Sequence, residues 1–196
     1  MQQDLGLLDE MIGRLLTLAR LDTPAAPVSM VSLDLTELVS QIVRNADFES
    51  HQHNARVAFV AHEAYFVRGN AELLHSAIEN VVRNAVRYTE SGTTVEVVLE
   101  AEKGANILLV RLTVRDYGPG VAESELAPIF QPFYRVADAR DRQSGGAGLG
   151  LAIAERVIRI HGGKIRAENT EPRGLQVEVL LPRLNELLGE SEKSIN

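Results

Sequence analysis

The stretch Ser76-Ala77-Ile78-Glu79-Asn80-Val81-Val82-Arg83-Asn84-Ala85-Val86-Arg87-Tyr88 constrains the fold most, because its apolar residues fall on one narrow side. At roughly 100° per residue, Ile78, Val81, Val82 and Ala85 share a helix face, while Asn80, Asn84 and Arg87 gather on the other. Such a helix must rest on one layer and leave its opposite side uncovered. Asn is a weaker helix former than Lys, Glu or Gln, so a merely solvated face has better residues available. Amide oxygens are hard ligands and a guanidinium matches phosphate oxygens, so the trio suits a Mg²⁺-phosphate group. Taken alone, the pattern fits a solvated face and such a site equally.

The rest of the chain offers the layer. Arg56 to Ala61 and Tyr65 to Arg68 read as short strands, and Lys164 to Glu168 with Leu175 to Leu181 as a closing pair. Between them, Thr93 to Glu102 and Ile107 to Arg115 read as longer strands joined by a turn at Lys103-Gly104-Ala105-Asn106. Asp34 and Glu37 form a capping box for a helix reaching about His53; further helices are expected over Asn70 to Tyr88 and about Leu149 to His161. No regular βαβ alternation is present, which argues against a doubly wound nucleotide fold. The expected class is α+β, a two-layer α/β sandwich with mostly antiparallel strands.

Ahead of this domain, Asp4 to about Leu21 reads as an amphipathic helix with a seam at Leu5, Leu8, Ile12, Leu15 and Ala19, widened by Leu7, Met11 and Leu18. So short a helix needs a partner for that stripe, and packing on its own domain is the plain alternative. Asp22-Thr23-Pro24-Ala25-Ala26-Pro27 then breaks the pattern. The organisation expected is a stem over residues 1–22, a linker over 23–33, the main domain over 34–184 and a polar tail over 185–196.

Composition removes several alternatives. A net charge of -7 argues against a nucleic-acid module, whose surface needs a basic excess. The absence of cysteine excludes disulfides, thiolate nucleophiles and Cys-based zinc sites. No apolar run approaches the roughly 20 residues of a membrane span, and the N-terminus does not read as a signal peptide, so the chain as given is expected to be soluble.

Two glycine-rich segments carry the remaining chemistry. Asp116-Tyr117-Gly118-Pro119-Gly120 ends a hydrophobic strand. Its glycines allow the backbone to approach a flat ligand, and its carboxylate can accept a hydrogen bond from an exocyclic amine. Adenine offers that donor where guanine presents a carbonyl, so one Asp could enforce ATP over GTP. An ordinary Gly-Pro turn with Asp as a local cap fits the pentapeptide as well. Farther on, Phe130-Gln131-Pro132-Phe133-Tyr134-Arg135 precedes Arg140, Arg142 and the run Ser144-Gly145-Gly146-Ala147-Gly148-Leu149-Gly150-Leu151-Ala152-Ile153. Glycine this dense, opening into an apolar helix, makes backbone N–H groups and a positive helix end available to phosphate. It is neither a P-loop, since no Gly-Lys-Ser/Thr follows, nor the dinucleotide fingerprint. A flexible surface loop is the plain alternative.

Together these segments resemble the catalytic domain of sensor histidine kinases, in the Bergerat-fold ATPase superfamily, over nearly the whole chain. Glu79 to Tyr88 looks like the N box, and Asp116-x-Gly118-x-Gly120 like the first glycine box. Phe130-x-x-Phe133-Tyr134-Arg135 looks like the F box, and Gly146-x-Gly148-Leu149-Gly150-Leu151 like the second glycine box. Closer in, Phe-Gln-Pro-Phe-Tyr-Arg, Asp138 to Arg142 and Gly174-Leu175-Gln176 are similar to Cpx-type envelope-stress sensor kinases. The resemblance implies binding of ATP with Mg²⁺. Asn84 would ligate the metal with Asn80 nearby, Arg87 would meet phosphate and Arg135 would reach the γ-phosphate. Tyr88 would lie against adenine and Asp116 would bind its amino group on the Gly118 and Gly120 turn. Phe130 and Tyr134 would border the nucleotide, and the backbone from Gly146 through Gly148, Leu149 and Gly150 to Leu151 would wrap the phosphates. Two positions depart from many members: Gln131 stands where Glu is common, and Leu175 follows Gly174 where Thr is common.

None of His51, His53, His62, His75 or His161 has the surroundings of the family's phosphoacceptor. The resemblance therefore implies that the accepting histidine lies outside this chain, that the N-terminal helix is the second stem helix only, and that the chain is a piece of a longer kinase. That parent would be an integral inner-membrane protein with this part on the cytoplasmic side. It would form a stem homodimer and pass its phosphoryl group to a response-regulator receiver domain. The competing readings are another ATPase of the same superfamily and a non-catalytic nucleotide-binding scaffold.

Overall fold

In the computed structural model the described residues are 12–13, 15–19, 28–51, 54–103, 108–136 and 147–184. Along the chain run β1 (Val31–Asp34), α1 (Leu35–Ser50), β2 (Arg56–Ala61), β3 (Phe66–Gly69), α2 (Ala71–Tyr88), β4 (Thr94–Lys103) and β5 (Leu108–Arg115). Two 3₁₀ turns follow, Glu123–Glu125 and Pro128–Phe130, then α3 (Gly150–Ile160), β6 (Lys164–Asn169) and β7 (Leu175–Pro182). Five strands form one sheet in the order β2-β4-β5-β7-β6, while β1 and β3 make a separate antiparallel pair. Within the large sheet only β2 and β4 run parallel. That pairing needs a long crossover, which β3 and α2 provide.

Alternation decides which side of the sheet the helices cover. Val95, Val97, Leu99, Val110, Leu112, Val114, Val177, Val179 and Leu181 all point inward and are buried. They share one core with Leu35, Val39 and Ile42 of α1, Leu74, Ile78, Val81 and Val82 of α2, and Val157 and Ile158 of α3. Charges occupy the other face. Glu178 on β7 takes a bidentate contact from Arg166 (2.7 and 3.1 Å), and Arg111 lies 3.3 Å from the same carboxylate. Arg111 also pairs with Glu102 and Glu100 on β4, so the ion network crosses four neighbouring strands. A face so charged is a poor bed for a second layer of helices. The result is the expected two-layer α/β sandwich.

Boundaries differ in instructive ways. Residues 31–33, read as linker, belong to β1, whose pairing with β3 (Val31↔Gly69 to Asp34↔Phe66) fixes a segment too short to show a strand pattern. Asp34 caps α1 by accepting from Glu37 N–H at 3.1 Å, but the Glu37 side chain turns to Gln41 and Arg44 instead of closing the capping box. Asn70, expected inside a helix, is the cap of α2 and accepts from Leu73 N–H at 3.0 Å. Of the stem, residues 12–13 and 15–19 are helical. Ile12, Leu15 and Leu16 are 51%, 38% and 55% exposed, whereas Leu18 packs on the core. The seam residues Leu5 and Leu8, the flanking Leu7 and Met11, the turn residues 104–106 with Ile107, and the tail 185–196 lie outside the described residues.

One histidine ties the helices together. His161 is buried at the end of α3, where its Nδ1 lies 2.7 Å from the Val157 carbonyl. Its Nε2 accepts from the Asn70 backbone N–H at 3.0 Å. A donor on that side requires Nε2 to be unprotonated, so Nδ1–H donates to Val157 and the ring is neutral. Burial pushes its pKa below the ordinary 6.5, against a smaller opposing effect of the Val157 carbonyl. The unfolded chain then binds a proton before the folded one does. His161 should therefore contribute stability that is complete above pH 6.5 and lost as pH falls through the lowered folded value. Urea unfolding of wild type and His161→Ala across that range should show the acid-side slope reduced in the variant. At neutral pH the variant should lose about 1–3 kcal/mol, from the Asn70 N–H left unpaired.

Candidate functional site

α2 rests its apolar face on the core and leaves its amide side free. Val81, Val82 and Ala85 are buried, Asn80, Asn84 and Tyr88 are half-buried, and Arg87 is exposed with its guanidinium 5.6 Å from the Tyr88 ring centre. Asn80 Nδ2 donates to the Ser76 carbonyl at 2.8 Å. Its Oδ1 is then the atom left to accept, the orientation that suits a hard cation. A side chain at Gly150 would put its Cβ 2.9 Å from that oxygen, so α3 begins directly against Asn80.

Among the described residues, the start of α3 lacks a side-chain cap. Asp34 caps α1 and Asn70 caps α2, but Leu149 at the head of α3 supplies no side-chain cap. The first intrahelical bond there is Ile153 N–H to Leu149 C=O at 2.9 Å, so the N–H groups before it have no partner within the helix. Just before it, Gly148 (φ +70) lies against the backbone of Phe133 and Tyr134, and its carbonyl accepts from Phe133 N–H at 2.9 Å. Phe133 itself holds φ +65 and is 55% exposed. The Tyr134 hydroxyl donates to Glu125 at 3.0 Å, and Arg135 is half-buried.

At the other end of α2 sits the aspartate turn. Asp116 is only 3% exposed. Its Oδ1 accepts from Gly118 N–H at 2.8 Å and Leu175 N–H at 3.2 Å. Oδ2 has no partner among the described residues and is not sealed from solvent. Burial pushes the Asp116 pKa above the ordinary 3.8, and the two N–H groups pull it partly back. The turn is fastened to the end of α2: Tyr117 N–H donates to Thr89 Oγ1 at 3.1 Å, and a Cβ on Gly118 would collide with the Tyr88 carbonyl. From Asn80 to Tyr88 is two helical turns, about 12 Å. One helix edge thus carries the uncapped helix start at one end and the buried carboxylate at the other.

Not every expected residue joins this edge. Phe130 lines a groove of about 600 Å³ with Leu18, Leu126, Ala152, Ile165 and Ala167, away from Asn84 and Asp116. Gly146 and the arginines at 140 and 142 lie outside the described residues. Two contributors escaped the reading of the sequence. Arg173 donates to the Gly118 carbonyl at 3.2 Å and pairs with Glu90 at 2.7 Å. Asn169 grips Val121 through both amide atoms, at 3.0 and 2.8 Å. In the sequence, a strand-end Asn and a turn Arg carry no mark that separates them from solvated residues.

Comparison with known proteins bears on the same residues. The family model described as "Histidine kinase-, DNA gyrase B-, and HSP90-like ATPase" matches residues 69–185. The sensor histidine kinase CpxA of Escherichia coli (strain K12) is 40% identical over 176 residues, which is 89% of this chain and 37% of that protein. The chain thus spans little more than a third of the length of this and the other CpxA relatives it matches. Full-length ShkA in complex with AMPPNP superposes with a TM-score of 0.76 at 28% identity, over 91% of this chain and 36% of that one. The nucleotide-free catalytic domain of the histidine kinase ThkA gives 0.67 at 26% identity, over 79% of this chain and 95% of that one.

The aspartate turn is sensitive to added volume from the β6–β7 side. Gly174 holds φ +111, and a Cβ there would fall on the Asp116 carbonyl. Gly92 holds φ +85 with open space around it. Gly92→Ala should lose about 1 kcal/mol from backbone strain alone. Gly174→Ala should lose clearly more, with about 2 kcal/mol as a floor, measured by urea unfolding. Equal losses would mean that the turn yields freely.

Proposed function

Because the chain belongs to the histidine kinase-, DNA gyrase B- and HSP90-like ATPase family, we propose that it is the ATP-binding catalytic domain of a two-component sensor histidine kinase. The observation that carries the reading is the single edge of α2, with Gly150 against Asn80 at one end and the Asp116 turn against Tyr88 at the other. Sensor-kinase relatives at 40% identity favour this over the other ATPases that the same family model covers.

The residues divide the work along that edge. Asp116 Oδ2, the unpaired oxygen, accepts from the adenine amino group, while Gly118 and Gly120 let the turn lie close to the base and Tyr88 borders it. Asn84 and the Oδ1 of Asn80, which faces the start of α3 at Gly150, fit a magnesium ion, which when bound neutralises phosphate charge. Arg87 and Arg135 supply further positive charge to phosphate oxygens. The uncapped first turn of α3, entered through Gly148, Leu149, Gly150 and Leu151, offers N–H donors and the positive end of its dipole. Tyr134 borders the nucleotide and Phe130 supports its loop from the groove side, while Gly146, the further glycine expected on the phosphates, lies outside the described residues. The chain then transfers the γ-phosphoryl group to a histidine on another segment, and that histidine passes it to an aspartate of a receiver domain. Transfer of this kind is mostly positioning and charge neutralisation, which this donor set can supply.

The partners and setting follow from the same reading. Three exposed apolar residues on the short stem helix, Ile12, Leu15 and Leu16, favour a second copy of the stem as partner. No helix among the described residues is long and apolar enough to cross a membrane. The parent kinase is placed in the inner membrane with this domain on the cytoplasmic side.

Two outcomes test the reading. Calorimetry with a non-hydrolysable ATP analogue should show binding to wild type, and Asp116→Ala should weaken it by about 3 kcal/mol, on the order of 100-fold. Acid should also weaken the wild type. With Oδ1 already accepting two N–H groups, a proton would go to Oδ2 and set donor against donor. Affinity should therefore fall on approach to the raised Asp116 pKa, at higher pH than an ordinary carboxylate would give, and Asp116→Ala should lack that fall. Separately, radiolabelled ATP should leave no label on this chain alone and should label an added stem segment bearing the accepting histidine. Label on the chain by itself would refute the phosphoacceptor argument.

A further inference from the structure

The end of β6 reaches across to the aspartate turn through one side chain. Asn169 Oδ1 accepts from Val121 N–H at 3.0 Å, and its Nδ2 donates to Val121 C=O at 2.8 Å and to Glu123 Oε1 at 3.2 Å. An amide that satisfies both backbone groups of one residue holds it as a neighbouring strand would. The fit is tight, since a Cβ on Gly120 would sit 2.6 Å from Asn169 Oδ1. Gly120 also holds φ +71, so the chain leaves the turn in a shape that a larger residue would resist on both counts.

Asn169 is also the register partner of Leu175 in the β6–β7 ladder. Leu175 N–H donates to Asp116 Oδ1. A single rung of the sheet therefore fixes both sides of the turn, the carboxylate through Leu175 and the exit through Asn169. Between these anchors Gly118 N–H must stay within reach of Oδ1, at 2.8 Å. If Val121 is released, Pro119 and Gly120 can swing and take Gly118 N–H with them. The carboxylate then loses one of its two donors and is free to rotate, and Oδ2 no longer has a fixed direction.

We propose that Asn169 is a positioning residue for base selection: it sets the direction of Asp116 Oδ2 and so the preference for adenine over guanine. The inference rests on reading the Asp116 turn as the base-recognition element. Arg173 reaches the same turn, but through a single bond to the Gly118 carbonyl from a long side chain that also pairs with Glu90; Asn169, also exposed, holds both backbone groups of Val121 from a short side chain.

The test compares non-hydrolysable ATP and GTP analogues on wild type, Asn169→Ala and Asn169→Asp by calorimetry, with urea unfolding alongside. Asn169→Asp keeps the shape and the acceptor but sets a carboxylate against the Val121 carbonyl and Glu123, so it carries the test if Asn169→Ala does not fold. Both variants should lose about tenfold in affinity for the ATP analogue and little for the GTP analogue, so the selectivity ratio falls by the same factor. An unchanged ratio overturns the proposal. So does an equal loss for both analogues accompanied by a lower unfolding midpoint, which would mark Asn169 as structural only. A wild type that shows no preference for the ATP analogue overturns the base-recognition reading itself, and this inference with it. A selective wild type with equally selective variants overturns this inference alone.

Discussion

A buried carboxylate with one oxygen turned inward and one left over is the interaction on which the site end of this fold depends. Placing an ionised group where it is 3% exposed costs several kcal/mol unless hydrogen bonds replace the lost water. Gly118 and Leu175 supply two such bonds to Oδ1, from a turn that follows β5 and from the start of β7. Their positions explain why glycine occurs where it does: Gly118 clears the end of α2, and Gly174 clears the Asp116 carbonyl. Satisfying the carboxylate internally therefore draws the last turn of α2, the end of β5 and the β6–β7 turn to one point. What remains over, Oδ2, is the atom with chemistry to offer.

The opposite face of the sheet makes that convergence possible. Glu178, Arg111, Arg166, Glu100 and Glu102 charge it, and α1, α2 and α3 share the other side. Crowded there, α2 and α3 pack against each other, and α3 starts on Asn80. A helix start without a cap would be a defect in isolation. Here it faces the amide edge of α2, where an anion with its cation can complete both.

Much of this was legible in the residues. The apolar stripe of Ile78, Val81, Val82 and Ala85 predicted which side of α2 is buried, and the strand-like runs predicted β4, β5 and β7 to within about a residue at either end. The glycine spacing located the turn and the start of α3. Less visible was whatever depends on contact at long sequence distance. β1 exists because β3 lies beside it, not because Val-Ser-Leu-Asp prefers a strand. Asn169 lies 48 positions from Val121, and neither residue hints at the other. Phe130 belonged to a recognisable aromatic-proline segment, yet its side of the chain lines the groove beside Leu18. His161 reads as a helix-end histidine, and only the structure joins its ring to the Asn70 N–H.

The bond from Phe133 N–H to Gly148 C=O has a consequence for how such domains can diversify. It joins two points fifteen residues apart at 2.9 Å, so the span between them begins and ends at the same place. Doubling the length of a span closed at its base adds only about 0.6 kcal/mol of closure entropy. Length is therefore cheap to change there, whereas Tyr134, Val136 and Ala147, which pack against the core just inside the clasp, are not free to go. Lineages and designers alike can lengthen the middle of that span, provided the clasp and those core contacts are kept.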